Sequence, residues 1–213
     1  CISIGAGIVA LLFGQDNYGR VKGNNIFRML QLQAKSFIKE EKLLLLSLRT
    51  IVCHVPFVAF VLFWQIYATE VIHIETKYLA FFLLVFMVLL MLGNYAVSIF
   101  TRKISNLGTS IAGIIISILG FVLLFVLPSF PGFVMGAGLI EFGFGVEQSA
   151  TSTWMCDCIE SETRSAYSSI FSTIQSVAGF IIMNLLGVLT EWNGVNAAWC
   201  VAAVAMGGDL SLI

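Results

Sequence analysis

The chain of 213 residues is 59% hydrophobic and only 11% charged, with a mean hydropathy of +0.97 and a formal net charge of −1. A soluble domain carries about 25% charged residues, and no soluble core of this length absorbs so much apolar surface. An ordinary soluble domain is excluded, and 11 basic against 12 acidic residues leave no surplus for a nucleic-acid partner.

Residues 1–14 (CISIGAGIVALLFG) form an apolar run that starts without Met. A hydrocarbon core about 30 Å thick takes about 20 residues at 1.5 Å rise, so this run is too short to span. It fits the end of a preceding transmembrane helix, and the chain is expected to be a fragment. As a signal-peptide core, the other reading of such a run, it lacks the basic flank of a leader. Residues 15–49 hold Arg20, Lys22, Arg28, Lys35, Lys39, Lys42 and Arg49, interleaved with Ile26, Phe27, Leu30 and Ile38 at loosely helical spacing. That pattern predicts a cytoplasmic connector carrying a surface-lying amphipathic helix.

Six apolar runs follow, at about 50–69, 78–99, 104–127, 132–154, 165–189 and 194–213. Turn chemistry separates them: Ile74 to Lys77, Thr101 to Lys103, Pro128 to Pro131, Asp157 to Arg164, and Glu191 to Gly194. The expected fold is all-α, a polytopic transmembrane helical bundle. Lys and Arg in short loops resist translocation, which orients the runs. With 15–49 inside, Arg102, Lys103 and Arg164 also fall inside, and Lys77 alone falls outside. A run missed or invented in the middle would scramble that parity.

Cys1, Cys53 and Cys200 sit in apolar runs, and Cys156 and Cys158 flank Asp157, so no disulfide framework is implied. His54 and His73 lie too far apart to build a metal cluster with those thiols. Neither a metal nor a cofactor is expected. With no phosphate-cradling loop, nucleophile elbow or zinc-protease motif, an enzyme is not expected either.

The inside loop Gly93-Asn94-Tyr95-Ala96-Val97-Ser98-Ile99-Phe100-Thr101-Arg102-Lys103-Ile104-Ser105 resembles the second copy of the signature loop of the major facilitator superfamily. Thr101 stands where the family has an acid. The segment Asp157-Cys158-Ile159-Glu160-Ser161-Glu162-Thr163-Arg164-Ser165 is similar to the loop between the family's tenth and eleventh helices. Asp157 and Arg164 keep the family spacing, with Glu160 in place of Pro and Ser165 in place of Gly. Phe63-Trp64-Gln65-Ile66-Tyr67 also looks like the outer end of the family's seventh helix. The resemblance implies the C-terminal six-helix half of a major-facilitator-type fold. Such a fold is two six-helix bundles, each a pair of three-helix inverted repeats, with solute bound between the bundles. The N-terminal bundle, preceding Cys1, is then an obligatory partner.

A carboxylate at the bilayer centre costs about 2.5–3.5 kcal/mol on insertion scales and is kept where it faces a cavity or a partner. Glu141, about 14 Å from the outer start of its run, is the leading candidate. Gln148 and Ser152 share its face, with Gly138 and Gly145 one turn to either side. The functional reading is a proton or cation site; the other is a buried structural carboxyl. Glu147, about 120° around the helix, reads as structural. Trp64, Gln65 and Tyr67, with Gln175, are candidates for solute contact, against an interfacial aromatic belt and helix-to-helix bonding. Arg102, Asp157 and Arg164 are candidates for an inner gate, as the resemblance implies, or the arginines serve topology alone. Gly120, Gly179, Gly187, Ser172 and Ser176 read as packing faces.

The expected function is secondary active transport of a small solute by alternating access, as symport or efflux, with a proton as the candidate coupling ion. The expected location is the cell membrane, in multi-pass form, with lipid and solute as partners. A receptor or assembly subunit on the same scaffold is one alternative. A channel is another, and should show pore-lining rings or a re-entrant filter.

Overall fold

In a computed structural model, which describes residues 41–159 and 164–211, the chain is helical, with no strand among the described residues. The expected helix end at 1–14 and the connector as far as residue 40 lie outside the described residues. From Glu41 to Arg49, the end of the connector segment is already helix.

Among the described residues six α-helices follow one another: α1 (Glu41–Ile66), α2 (Leu79–Phe100), α3 (Asn106–Val126), α4 (Phe130–Cys158), α5 (Arg164–Asn193) and α6 (Val195–Ser211). Helix α1 runs on as a π-helical turn, Tyr67–Val71, and α2 is entered through a 3-10 turn, Thr76–Tyr78. Among the described residues four stretches are long and apolar enough to cross a membrane: Leu43–Val71, Thr76–Phe100, Asn106–Val126 and Tyr167–Asn193. These give the chain the character of a membrane protein. Helix α4 has the length, at 29 residues, but is diluted by glycines and acids. Helix α6 has only 17 residues, about 26 Å.

Local chemistry sets the helix ends. Ser105 accepts a hydrogen bond from the Gly108 amide (3.1 Å) and Ser129 from that of Gly132 (3.3 Å), each satisfying a donor of a helix's first turn. Pro131 falls in that first turn of α4, where its missing N–H is not needed. Between α5 and α6 the single residue Gly194 turns the chain. Its φ of 73° suits a glycine, and its amide closes onto the Thr190 carbonyl at 2.9 Å.

Helices in hydrocarbon gain nothing from hiding apolar surface from lipid, so close van der Waals approach holds them together. Helix α4 carries two glycine rows for this purpose. Gly136 and Gly143 press on Gly120 and Gly113 of α3, while Gly145 lies against Gly93 of α2. A Cβ at Gly113 would fall 2.6 Å from the Glu147 nitrogen, and one at Gly120 would fall 2.7 Å from the Gly136 carbonyl oxygen. Phe60, Phe86, Phe121, Phe133 and Trp199, from five helices, interlock with ring centroids about 6 Å apart.

The pairing of helices has a rule. Helix α4 packs on α2 and α3, α1 packs on α5 and α6, and α3 meets α6. Taken as two sets of three, each set's first helix lies against the second and third helices of the other set.

Candidate functional site

Arg49 stands on α1 at 3% exposure, and Asp209 faces it from α6 at 1%. Arg49 Nε donates to Asp209 Oδ1 at 3.0 Å. Its Nη2 donates to Ser110 Oγ of α3 at 2.7 Å and to Thr151 Oγ1 of α4 at 3.3 Å. Thr151 in turn donates to Glu147 Oε1 at 2.7 Å. With that proton committed, Ser110 is the donor across the 2.8 Å gap to Thr151. The guanidinium also lies over the Trp154 ring, 5.1 Å from its centroid. One arginine thus joins α1, α3, α4 and α6. Two atoms stay unsatisfied, Arg49 Nη1 and Asp209 Oδ2.

Beside this network the bundle opens a cavity of about 260 Å³ between α1, α4 and α5. Arg49 and His54 line it from α1, Glu147 and Gln148 from α4, and Arg164 and Gln175 from α5. Phe57 and Phe144, with ring centroids 5.8 Å apart, form an aromatic wall. Arg164 donates from Nη2 to the Cys156 carbonyl at 2.7 Å, and its buried Nε has no partner.

Cys53, Glu147 and Asp209 bring their ligand atoms within 4.8 Å of one another. A thiol and two carboxylates could hold a divalent cation, but the Arg49 guanidinium, 3.0 Å from Asp209, already supplies the positive charge there. A metal would have to displace it.

The sequence-derived candidates separate into groups. Gln148, Gln175 and Arg164 come together at the cavity. Glu141, 9% exposed, lies two turns before Gln148 on α4 and does not line the cavity. Trp64 is buried against Phe86, 5.3 Å between centroids. Tyr67 is fully buried, and its hydroxyl donates to the Leu124 carbonyl at 2.7 Å. Both are core residues, and Gln65 is exposed on α1 away from the cavity. Asp157 accepts from Asn106 Nδ2 at 2.9 Å, tying the end of α4 to the start of α3, and Arg102 is exposed in the turn between α2 and α3. No ion pair joins Asp157 to either arginine.

Sequence reasoning missed Arg49, Asp209, Ser110 and Thr151 as a unit, and Glu147 as a cavity residue. One signal was present: Asp209 is an acid within an apolar run, the feature that singled out Glu141. No protein-family model matches the chain, and no curated protein matches it in sequence.

Proposed function

We propose that this bundle is one half of a major-facilitator-type secondary transporter, which moves a small solute across a membrane by alternating access. The observation that carries the reading is the cavity with buried charges in its wall, set among helices of membrane-spanning length. Charged side chains at that depth are expensive and belong where they serve an aqueous route. The exchange of first helices between two sets of three supports the same reading, since paired three-helix repeats are how such bundles are built. The first helices of both sets, α1 and α4, line the cavity, so movement of one set against the other would open or close it. In this reading all six helices span the cell membrane, the connector is cytoplasmic, and a second six-helix bundle closes the cavity's open side. Glu147 lines the cavity and Glu141 does not, so Glu147 is the carboxyl that exchanges a coupling proton with it.

The test is two-sided labelling of the intact protein, native cysteines replaced, carrying Gln148→Cys. An impermeant maleimide is offered to right-side-out and to inverted vesicles. Alternating access gives reaction from both sides, in proportions that shift with an imposed pH gradient, and Glu147→Gln removes that shift. Reaction from one side only would mark a static scaffold and overturn the proposal.

A further inference from the structure

We infer that the cavity binds an oxyanion, the carboxylate or phosphate group of a compact solute, between Arg49 and Arg164. The inference deepens the transport reading by naming the solute class, and rests on it for the solute's movement but not for its binding.

Two cations and one acid, Glu147, are the charged side chains among the cavity's described lining. Each guanidinium is already fixed by other bonds. Arg49 is held by Asp209, Ser110 and Thr151, and Arg164 by the Cys156 carbonyl. Each also keeps one buried N–H donor with no acceptor: Nη1 on Arg49, itself 97% buried, and Nε on Arg164. Buried donors are rarely left unmet, and the two side chains that carry these line one and the same cavity. The planar guanidinium is the side chain best matched to carboxylate and phosphate oxygens.

The same geometry argues against a cationic solute. Such a solute would meet the Arg164 guanidinium, which no carboxylate among the described residues pairs, and Glu147, the one carboxylate in the cavity's described lining, has an oxygen already bonded to Thr151. Gln148, Gln175, Ser152 and Ser172 add neutral hydrogen-bonding groups suited to a solute's hydroxyl or carbonyl oxygens, and Phe57, Phe144 and Phe171 add apolar wall for its carbon skeleton. At about 260 Å³ the space is at the small end of ligand cavities, so the solute is compact. The oxyanion can arrive on a water-soluble molecule or as the headgroup of an anionic lipid.

The experiment is calorimetric titration of the intact protein in nanodiscs, with inorganic phosphate and succinate as probes and choline and glycerol as controls. In discs of phosphatidylcholine alone, phosphate or succinate binds and the controls do not. Arg164→Gln weakens that binding by about ten- to a hundredfold, the worth of one charge-assisted hydrogen bond. Glu147→Gln, which removes the cavity's own negative charge while keeping an acceptor for Thr151, strengthens it by about tenfold. Arg164 is used because Arg49 also ties four helices together. If discs containing phosphatidylglycerol suppress the binding, the same site is occupied by a lipid headgroup; if they do not, the ligand is a soluble anion. Binding of choline, no binding of either oxyanion, or unchanged affinity in Arg164→Gln would overturn the inference. Oxyanion binding in a protein whose Gln148→Cys form reacts from one side only would defeat transport and leave this inference standing.

Discussion

Arg49 and Asp209 each carry a charge into a part of the bundle that solvent barely reaches. Their attraction in a low dielectric offsets the loss of hydration only while both are present, so removing one strands the other. Asp209→Asn is expected to destabilise the bundle by about 3–5 kcal/mol, and the double change Arg49→Met with Asp209→Leu to recover most of that. Unfolding in mixed detergent micelles measures both, and a single variant as stable as the parent would refute the assignment. This pair also shows where sequence reasoning ran out. Arg49 counted as one more cation of a basic connector, and its partner lies 160 residues away. Periodicity relates side chains a turn or two apart on one helix and says nothing about which helix lies opposite. Helical spacing put Gln148 on one face of α4 with Glu141, yet only Gln148 lines the cavity, because which turn of a face meets a neighbour depends on that neighbour. Trp64 and Tyr67 were beyond such reasoning, since an aromatic at a helix end serves a core and an interface equally well.

At the scale of elements, the breaks between helices were readable from chemistry that acts locally. The turn around Pro128 to Pro131 precedes α4, and Gly194 divides α5 from α6. The start of the first helix was not. Hydropathy marks where a segment becomes apolar, whereas a helix can extend past that point into polar sequence, and α1 is already helical at Glu41. Small residues were readable as contact candidates, but their partners were not. Gly120 lies against α4 and Gly179 against His54, while Gly187 meets nothing within 4 Å. A substitution series follows. Gly113→Leu, which drives a side chain into the backbone of α4, is expected to cost about 1–3 kcal/mol. Gly187→Ala should stay within about 0.5 kcal/mol of the parent. Thermal melts of the detergent-solubilised protein distinguish these, and equal losses at both positions would mean that α3 and α4 do not approach as described.

At the scale of the whole molecule, the all-helical class and the presence of membrane-length helices followed from composition alone, because no other architecture satisfies every backbone group in hydrocarbon with so little polar sequence. The arrangement of the helices did not. It depends on which glycine row meets which neighbour, a property of pairs. Orientation remains checkable by single cysteines in a background without the native ones. Lys77→Cys, in an exposed turn before α2, and Arg102→Cys, in the turn after it, should react with an impermeant reagent from opposite compartments. Reaction from the same compartment would remove the crossing by α2 and with it the bundle.

The packing of α1 against the last two helices makes biosynthesis an issue. Arg49 leaves the ribosome 160 residues before Asp209, a delay of roughly ten to thirty seconds at ordinary elongation rates. Until then α1 lacks α6 and its counter-ion, and an unneutralised guanidinium held among acyl chains costs about 2.5–3.5 kcal/mol. That cost favours a nascent helix held at the bilayer surface, or in the care of the insertion machinery, until synthesis has reached the other end of the bundle.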